Sequence, residues 1–289
     1  MRSRIPQLRE DEIVELAEVV ADEHCRSGIV CPVTILRANK VKFCYGTYGL
    51  KTFDGMLEYK NGRFFVFCNR DRGNHEGTRR SRFTLSHELA HFYIPEHRWA
   101  LLNGVGAHPS VCGLFDGASV QEEVEADIFA ANLLMPPSRF KAAMSKTTGT
   151  PMNRVMCLKD TFQTSILSTA VQYGRYDNNV VALLKWSNDD VEWKRILEEY
   201  FFAQQYRSWK LRSRADLPDD SATAVALAES PDTPEPTIHE SVLTASFCFH
   251  HVSSSGSRDI VLREEAVRLG RHGVLTLLSV HPRFQKKVQ

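Results

Sequence analysis

The sequence predicts an α+β protein of more than one domain, and three observations lead to this expectation. The chain has 289 residues, about twice the length of a typical domain. Its 43% hydrophobic and 25% charged residues are the composition of an ordinary globular protein. Helical and strand-like hydrophobic patterns both occur along it. With 36 basic and 35 acidic residues the net charge is +1, which argues against a protein that mainly neutralises phosphates.

The N-terminal half contains an amphipathic helix, a hairpin and two further helices in the order of the chain. The first helix is predicted from about residue 8 to 26, and residues 56–68 are predicted to form a β-hairpin. The hairpin turns at Asn61-Gly62, a pair that supplies the positive φ angles of a two-residue turn. Two helices follow at about 83–94 and 121–135, each ended by proline.

The C-terminal half contains a helical pair followed by mixed structure. Residues 153–176 have helix-turn-helix character, and a strand is predicted at 180–185. The stretch 215–240 is rich in Pro, Asp and Ser and is predicted to be a linker. Strands at 244–252 and 274–280 are expected to flank a helix at 263–271. We therefore predict three domains, at 1–140, 141–185 and 186–289.

The cysteines and the apolar runs predict the compartment. The seven cysteines form an odd set without a Cys-x-x-Cys pair, which argues against a disulfide framework and against a thiolate zinc site. No apolar signal core follows the N-terminus, and no apolar run reaches the roughly 18 residues that span a bilayer. We therefore expect a cytoplasmic protein without a membrane partner.

The segment His87-Glu88-Leu89-Ala90-His91 carries the strongest chemical signal. Residues four apart lie on one face of a helix, so His87 and His91 can both bind one metal ion. Glu88 stands beside that ion without binding it and can take a proton from a water molecule there. The pattern predicts a hydrolytic metal site.

A third ligand is needed, and we favour Glu123 on the next predicted helix. Asp127 lies four residues later on the same face, where it can accept a hydrogen bond from a ligand histidine and orient it. Two histidines and one glutamate leave the fourth position open, as a hydrolytic zinc site requires. We expect the neighbours Glu122 and Glu125 to be solvated helix charges.

The rival third ligand is His97, at the spacing of the third histidine in the metzincin pattern. That pattern has a glycine after the second histidine to turn the chain sharply. Here Ile94 occupies that position and Pro95 follows, so we favour Glu123.

These residues together resemble the ImmA/IrrE family of metallo-endopeptidases. The likeness is specific at residues 82–91 (RFTLSHELAH) and 123–136 (EVEADIFAANLLMP), which fit the family patterns R-F-T-L-x-H-E-x-x-H and E-x-x-A-[N/D]-x-F-A-x-x-L-L-M-P. It continues weakly at 54–58, 158–173 and 269–278.

The resemblance implies a gluzincin-like zinc peptidase domain with a helix-turn-helix-like segment. A small C-terminal α+β domain of sensing or interaction type is expected to follow, with a GAF-like fold as one possibility. It places the metal ligands on His87, His91 and Glu123 and the general base on Glu88. Zinc is the expected ion, with manganese as a second possibility. The implied activity is site-specific cleavage of a helix-turn-helix (XRE-type) repressor encoded nearby, which releases stress-response or mobile-element genes.

The segment from Ser165 to Tyr176 has few of the side chains that read DNA, only Gln172 and Arg175. We therefore expect it to pack beside the active site rather than to bind DNA. Tyr173 and Arg175 are then candidates to stabilise the oxyanion of the scissile carbonyl. The alternative functions are a DNA-binding transcription regulator, or a toxin–antitoxin partner, with a non-catalytic metal site.

Two surface features have open interpretations. The basic residues 70, 72, 79, 80 and 82 could steer an acidic substrate segment or DNA held by a bound repressor, although a solvated loop is the preferred interpretation. The strand at 63–68 could pair with a substrate strand by edge addition.

Overall fold

A computed structural model describes residues 5–104, 107–110, 121–186, 210–211, 218–232, 236–250 and 260–282. Contacts divide the chain into two compact units. The first unit comprises Met1–Lys146 and Leu158–Ser168, and the second comprises Thr147–Cys157 and Thr169–Gln289. The predicted middle domain at 141–185 is therefore shared between the units. Within the described ranges, no helix is both long enough and apolar enough to cross a membrane.

The first unit is an α+β layer arrangement of helices around a small sheet. Its helices are α1 (Gln7–His24), α2 (Pro32–Ala38), α3 (Arg79–Tyr93), α4 (Pro95–Leu102), α5 (Gln121–Leu134) and α6 (Pro137–Met144). Its strands are β1 (Lys42–Gly46), β2 (Gly55–Lys60), β3 (Arg63–Asn69) and β4 (His108–Ser110). Helices α7 (Pro151–Phe162) and α8 (Ile166–Tyr176) each contribute residues to both units.

The sheet of the first unit has the order β1-β3-β2-β4. The predicted hairpin is confirmed: Lys60 pairs with Arg63, and Asn61 and Gly62 have φ angles of 51° and 75°. Strand β3 pairs with β2 on one side and with β1 on the other. The hypothesis that β3 adds a substrate strand is therefore wrong, because both of its edges are already paired.

Helix α3 begins earlier than the sequence predicts and is anchored on its apolar face. Thr78 caps it by accepting a hydrogen bond from the backbone N–H of Ser81 at 3.2 Å, so the helix starts at Arg79. Leu85 and Leu89 are fully buried, and the ring of Phe92 meets that of Phe64 edge-on. This packing fixes the rotation of the helix and therefore the direction of its histidines.

The second unit is built on an antiparallel sheet of order β5-β10-β9-β7. Its strands are β5 (Val180–Trp186), β7 (Ile238–Thr244), β9 (Val261–Arg268) and β10 (Val274–Val280), and helix α9 (Ala222–Ala228) belongs to the same unit. A further two-stranded pair joins β6 (Lys210–Leu211) to β8 (Phe249–His250), which follows the short helix α10 (Ala245–Cys248). The strands predicted at 180–185 and 274–280 are confirmed.

The structure differs from three predictions for the C-terminal part. The helix expected at 263–271 is strand β9 as far as Arg268. The strand expected at 244–252 is interrupted by α10, and among its described residues only Thr244 and Phe249–His250 are in strands. The expected linker at 215–240 contains α9 and the first three residues of β7. Strand β9 escaped detection because the adjacent charged residues Glu264 and Glu265 are buried. Glu264 accepts hydrogen bonds from the start of α9, and Glu265 accepts them from the start of α7.

Candidate metal centre

Three side chains from α3 and α5 converge on one point inside the first unit. Nε2 of His87 and Nε2 of His91 lie 3.2 Å apart. The carboxylate of Glu123 places Oε2 at 3.3 Å from the His87 nitrogen and Oε1 at 3.4 Å from the His91 nitrogen. Each residue offers one ligand atom within 4.8 Å of the other two. The three ligands predicted from the sequence are therefore brought together.

These separations fit a tetrahedral metal ion. Zinc binds imidazole nitrogen at about 2.0–2.1 Å, so adjacent ligands of a tetrahedral zinc ion lie about 3.3 Å apart. The three separations of 3.2, 3.3 and 3.4 Å lie at this value. Oε2 of Glu123 is buried and has no hydrogen-bond partner among the described residues, as expected of an atom whose natural partner is a cation.

Glu88 lies beside this group of ligands with a buried carboxylate. Its side chain is fully buried, and neither oxygen has a hydrogen-bond partner among the described residues. Burial raises its pKa to about 7, against an opposing effect of His87 and with a further rise from Glu123. A carboxylate held in this state at neutral pH has the proton affinity that a general base requires.

Gly55 on β2 is the residue against which Glu88 packs. A Cβ atom at this position would lie 2.4 Å from Oε1 of Glu88 and 2.7 Å from the methyl group of Thr84. Only glycine allows the strand to approach so closely the face of α3 that carries Glu88. The sequence analysis did not single out this glycine as a site residue.

The outer nitrogen of His87 is oriented as the sequence analysis predicts. Nδ1 lies 2.9 Å from Oδ1 of Asp127, one turn after Glu123 on α5. Because Nε2 faces the other ligands, Nδ1 carries the proton and donates a hydrogen bond to the carboxylate. The contact fixes both the tautomer and the ring plane of His87.

The outer nitrogen of His91 contacts His97, which the sequence analysis considered only as a rival third ligand. Nδ1 of His91 lies 3.1 Å from Nδ1 of His97, whose other nitrogen lies 3.3 Å from Oε2 of Glu125. Arg9 donates to the same carboxylate at 2.9 Å. His97 thus contacts the outer side of a ligand, outside the three-residue group. The prediction that Glu125 is a solvated helix charge is wrong, because its side chain is only 2% exposed.

His108 on β4 is a site residue that the sequence analysis missed. Its Nε2 lies 2.6 Å from Oε1 of Glu123, and the side chain is 35% exposed. Its ring also lies against that of His91, with centroids 4.3 Å apart. No local motif marks His108, because the pairing of β4 with β2 brings it to the site. It is the histidine at the solvent side of the ligand group.

Burial and the neighbouring side chains keep the ligands in the protonation states that bind a metal. Burial lowers the pKa of His91 to about 3, so its ring is neutral. Burial alone would raise the pKa of Glu123, but its close contacts with His108, His87 and His91 outweigh this effect and hold that pKa well below the ordinary value. A neutral imidazole and an ionised carboxylate are the forms that bind a metal.

Tyr173 is a further residue with a predicted catalytic role. Tyr173 is in the second unit, fully buried. Its hydroxyl accepts a hydrogen bond from Arg154 at 3.0 Å and donates one to Asp177. Burial raises its pKa above the ordinary value. Its predicted catalytic role stays a prediction.

The basic residues near α3 are used within the first unit. Arg72 and Arg80 both bind the buried carboxylate of Asp54, at 3.0 and 2.6 Å. Arg79 pairs with Asp160 at 2.6 Å, and Arg82 donates to the backbone oxygen of Val30 at 2.9 Å. These contacts hold the loop and α3 in place. The side chains of Arg79 and Arg80 are still 42% and 46% exposed, so the interpretation as a solvated surface fits these two arginines but not Arg72, which is 22% exposed.

Comparisons with known proteins agree with this site. Residues 73–166 match the family model described as the IrrE N-terminal-like domain, peptidase family M78. This match confirms the ImmA/IrrE resemblance over the segment that contains His87, Glu88, His91 and Glu123. It indicates a metallopeptidase domain of the ImmA/IrrE type, and such a domain implies a metal ion.

Other comparisons give the fold alone. No curated protein matches the sequence. Among solved structures, the chain is similar to one described as a Mycobacterium tuberculosis transcriptional regulator, with a TM-score of 0.57 and 12% sequence identity. That similarity covers 96% of this chain and 78% of the other. At such low identity it supports a mixed α+β fold and carries no function.

Proposed function

We propose that this protein is a zinc-dependent endopeptidase. The single observation that carries the proposal is the juxtaposition of a three-ligand group with the buried, unpartnered carboxylate of Glu88. A purely structural zinc site has four protein ligands, whereas a hydrolytic site has three and an open position. Here the described residues supply three ligands and a base beside them, which supports hydrolysis.

Each residue of the site has a distinct part in the proposed reaction. Zinc held by His87, His91 and Glu123 would polarise the scissile carbonyl and acidify a water molecule. Glu88 takes a proton from the attacking water and later delivers it to the nitrogen of the leaving amine. His108, half-exposed beside Glu123, is placed to contact a substrate that enters from solvent.

Zinc is the proposed ion because two of the three ligands are imidazoles. Manganese prefers carboxylate, carbonyl and water oxygens, whereas imidazole suits zinc. Elemental analysis of protein purified without added metal would distinguish the two. A stoichiometric manganese content with no zinc would contradict this part of the proposal.

The proposed substrate is a helix-turn-helix repressor of the XRE type, cleaved at one site in the cytoplasm to release stress-response or mobile-element genes. The family match at 73–166 supports this substrate class, because members of the family act on such repressors. The gluzincin-like class of the first unit and a GAF-like, sensing role of the second unit belong to the same proposal.

The test of this function is an incubation of the purified protein with the DNA-binding protein encoded beside it. We expect two discrete fragments in the presence of zinc and none after treatment with a chelator. The matched control is the Glu88→Gln variant loaded with the same metal. Failure of the wild-type enzyme to cut this protein, with zinc bound, would remove the proposed substrate.

A DNA-binding transcription regulator is the second candidate, because residues 153–176 have helix-turn-helix character in the sequence. The accessibility of α8 argues against base reading by this helix. Gln172, one of its two side chains suited to base contacts, is only 1% exposed. Sequence-specific binding to its own promoter that persists with chelator would favour the regulator. Co-purification with an uncut partner would favour a toxin–antitoxin role.

A further inference from the structure

Arg9, His97 and Glu125 form a buried chain of contacts that ends on the metal ligand His91. Oε2 of Glu125 accepts a hydrogen bond from the guanidinium of Arg9 at 2.9 Å and lies 3.3 Å from Nε2 of His97. Nδ1 of His97 lies 3.1 Å from Nδ1 of His91. The side chains of His97 and Glu125 are 4% and 2% exposed, so water does not replace these contacts. Three helices other than that of His91 supply the chain: α1, α4 and α5.

The positions of the protons along this chain follow from its two ends. If Nε2 of His91 faces the metal, its Nδ1 carries the proton and acts as a hydrogen-bond donor. Nδ1 of His97 is then the acceptor, so the proton of His97 lies on Nε2 and points at Glu125. Glu125 remains ionised because Arg9 binds it and Gln121 donates to its other oxygen at 2.6 Å. Only this placement of the protons gives every hydrogen-bond donor in the chain of contacts an acceptor.

We propose that His97, held by Glu125 and Arg9, is a positioning residue that orients His91 for metal binding. The two ligand histidines are then oriented by different kinds of contact. Asp127 contacts His87 directly, whereas a carboxylate acts on His91 through an intervening imidazole. Hydrogen bonds to the outer nitrogen of a ligand histidine fix its ring and raise its basicity, and their loss typically costs about 10- to 100-fold in metal affinity.

This inference rests on the proposed metal site, but it does not depend on peptide cleavage. Arg9 lies outside the segment 73–166 that matches the family. His97 and Glu125 lie inside that segment, so only the contribution of Arg9, which follows from the packing of α1 on α5, is independent of the family match. The readout is accordingly the zinc dissociation constant, measured on the full-length, metal-stripped protein by competition with a chromophoric chelator.

Three variants test the assignment. His97→Phe keeps a planar ring but removes the acceptor, and we expect zinc to bind about 10- to 100-fold more weakly. His97→Gln keeps an acceptor oxygen and should retain more of the affinity than His97→Phe. Glu125→Gln removes the charge that holds His97 and should also weaken binding. The matched control is Glu15→Gln, which removes the same charge from an exposed position on α1 and should leave the constant unchanged.

A merely structural role has a different signature. It would lower the thermal unfolding midpoint of the metal-free protein and leave the zinc affinity of the folded protein at the wild-type value. If the two His97 variants and Glu125→Gln bind zinc within about twofold of wild type, the assignment is wrong. If His97→Phe does not fold, the Glu125→Gln and His97→Gln constants decide the matter. A wild-type protein that binds zinc without cutting any repressor would overturn the proposed function and leave this assignment standing.

Discussion

A Cβ atom on Gly55 would lie 2.4 Å from the carboxylate oxygen Oε1 of Glu88. Strand β2 therefore forms one wall of the space that the proposed base occupies. The backbone of β2 is itself held by pairing with β3 and β4, so it cannot withdraw without disturbing the sheet. The position of Glu88 is fixed from the strand side as well as by its own helix.

The first prediction concerns this wall. We expect Gly55→Ala to displace the Glu88 carboxylate and to lower the cleavage rate about 10- to 100-fold, since small misplacements of a catalytic group have effects of this size. Zinc affinity should stay near the wild-type value because the three atoms nearest to the added methyl group belong to Glu88 and Thr84, not to a ligand. Met56→Ala, one residue further along the same strand, is the control. Cleavage at the wild-type rate by Gly55→Ala would show that the base does not need this position.

The second prediction concerns the base itself. Glu88→Gln keeps the size of the side chain but cannot take a proton, so the variant should bind zinc and lose cleavage. Zinc content by elemental analysis and cleavage of the repressor on a gel are the two measurements. A variant that still cleaves the repressor would refute the mechanism.

The third prediction is the pH dependence of the metal-free protein. Its folded form has a pKa for Glu88 of about 7, above the ordinary 4.5, so between these values the folded state binds more protons than the unfolded state. Stability therefore falls as the pH rises through this window. Glu88→Gln lacks this loss and should exceed wild type in unfolding free energy by on the order of 2 kcal/mol at pH 8.

Urea unfolding of the two metal-stripped proteins at pH 4.5 and at pH 8 measures this difference. Near pH 4.5 the two proteins should have nearly equal stability, because Glu88 is then protonated in the folded state and already about half protonated in the unfolded state. Effects of the histidines are common to both proteins and cancel. An equal difference at both pH values would mean that the titration of Glu88 is not its source.

The fourth prediction concerns Asp127. Asp127→Ala removes the acceptor of the His87 Nδ1 proton and should weaken zinc binding about 10- to 100-fold. Asp127→Asn keeps an acceptor oxygen and should lie between this variant and wild type. Glu15→Gln, on the exposed face of α1, is a control for the loss of one negative charge. Equal affinities for all four proteins would exclude an orienting role.

The fifth prediction distinguishes two roles for Tyr173. Its hydroxyl already contacts Arg154 and Asp177, which supports a packing role in the second unit. We therefore expect Tyr173→Phe to keep the cleavage rate and to lose about 1 kcal/mol of stability through the missing hydrogen bonds. A large fall in the cleavage rate at unchanged substrate affinity would instead support the oxyanion role predicted from the sequence.

The parts of the site that were predictable are those set by local geometry. His87 and His91 are four residues apart, and so are Glu123 and Asp127, so helical spacing alone puts each pair on one face. The hairpin at Asn61-Gly62 was predictable for a similar reason, because the turn chemistry is contained in two residues.

The rest depends on tertiary packing, which spacing does not reveal. Glu125 looks like a surface charge in its own helix and is buried only because Arg9 of α1 and His97 of α4 meet it. His108 reaches the site through the pairing of β4 with β2. The strand β9 was mistaken for a helix because Glu264 and Glu265, which are polar in sequence, accept hydrogen bonds from the first residues of two helices.

The order in which the chain visits its two units limits how the protein can be divided. The chain leaves the first unit after Lys146, returns to it for Leu158–Ser168 and then leaves again. The returning stretch includes Phe162, whose ring lies 5.3 Å from that of Phe140 in the core of the first unit. A gene fragment that stops at the end of α6 therefore encodes all three metal ligands but lacks part of their hydrophobic support. We expect such a fragment to be poorly folded, so the metal site requires both stretches of the first unit to be expressed on one chain.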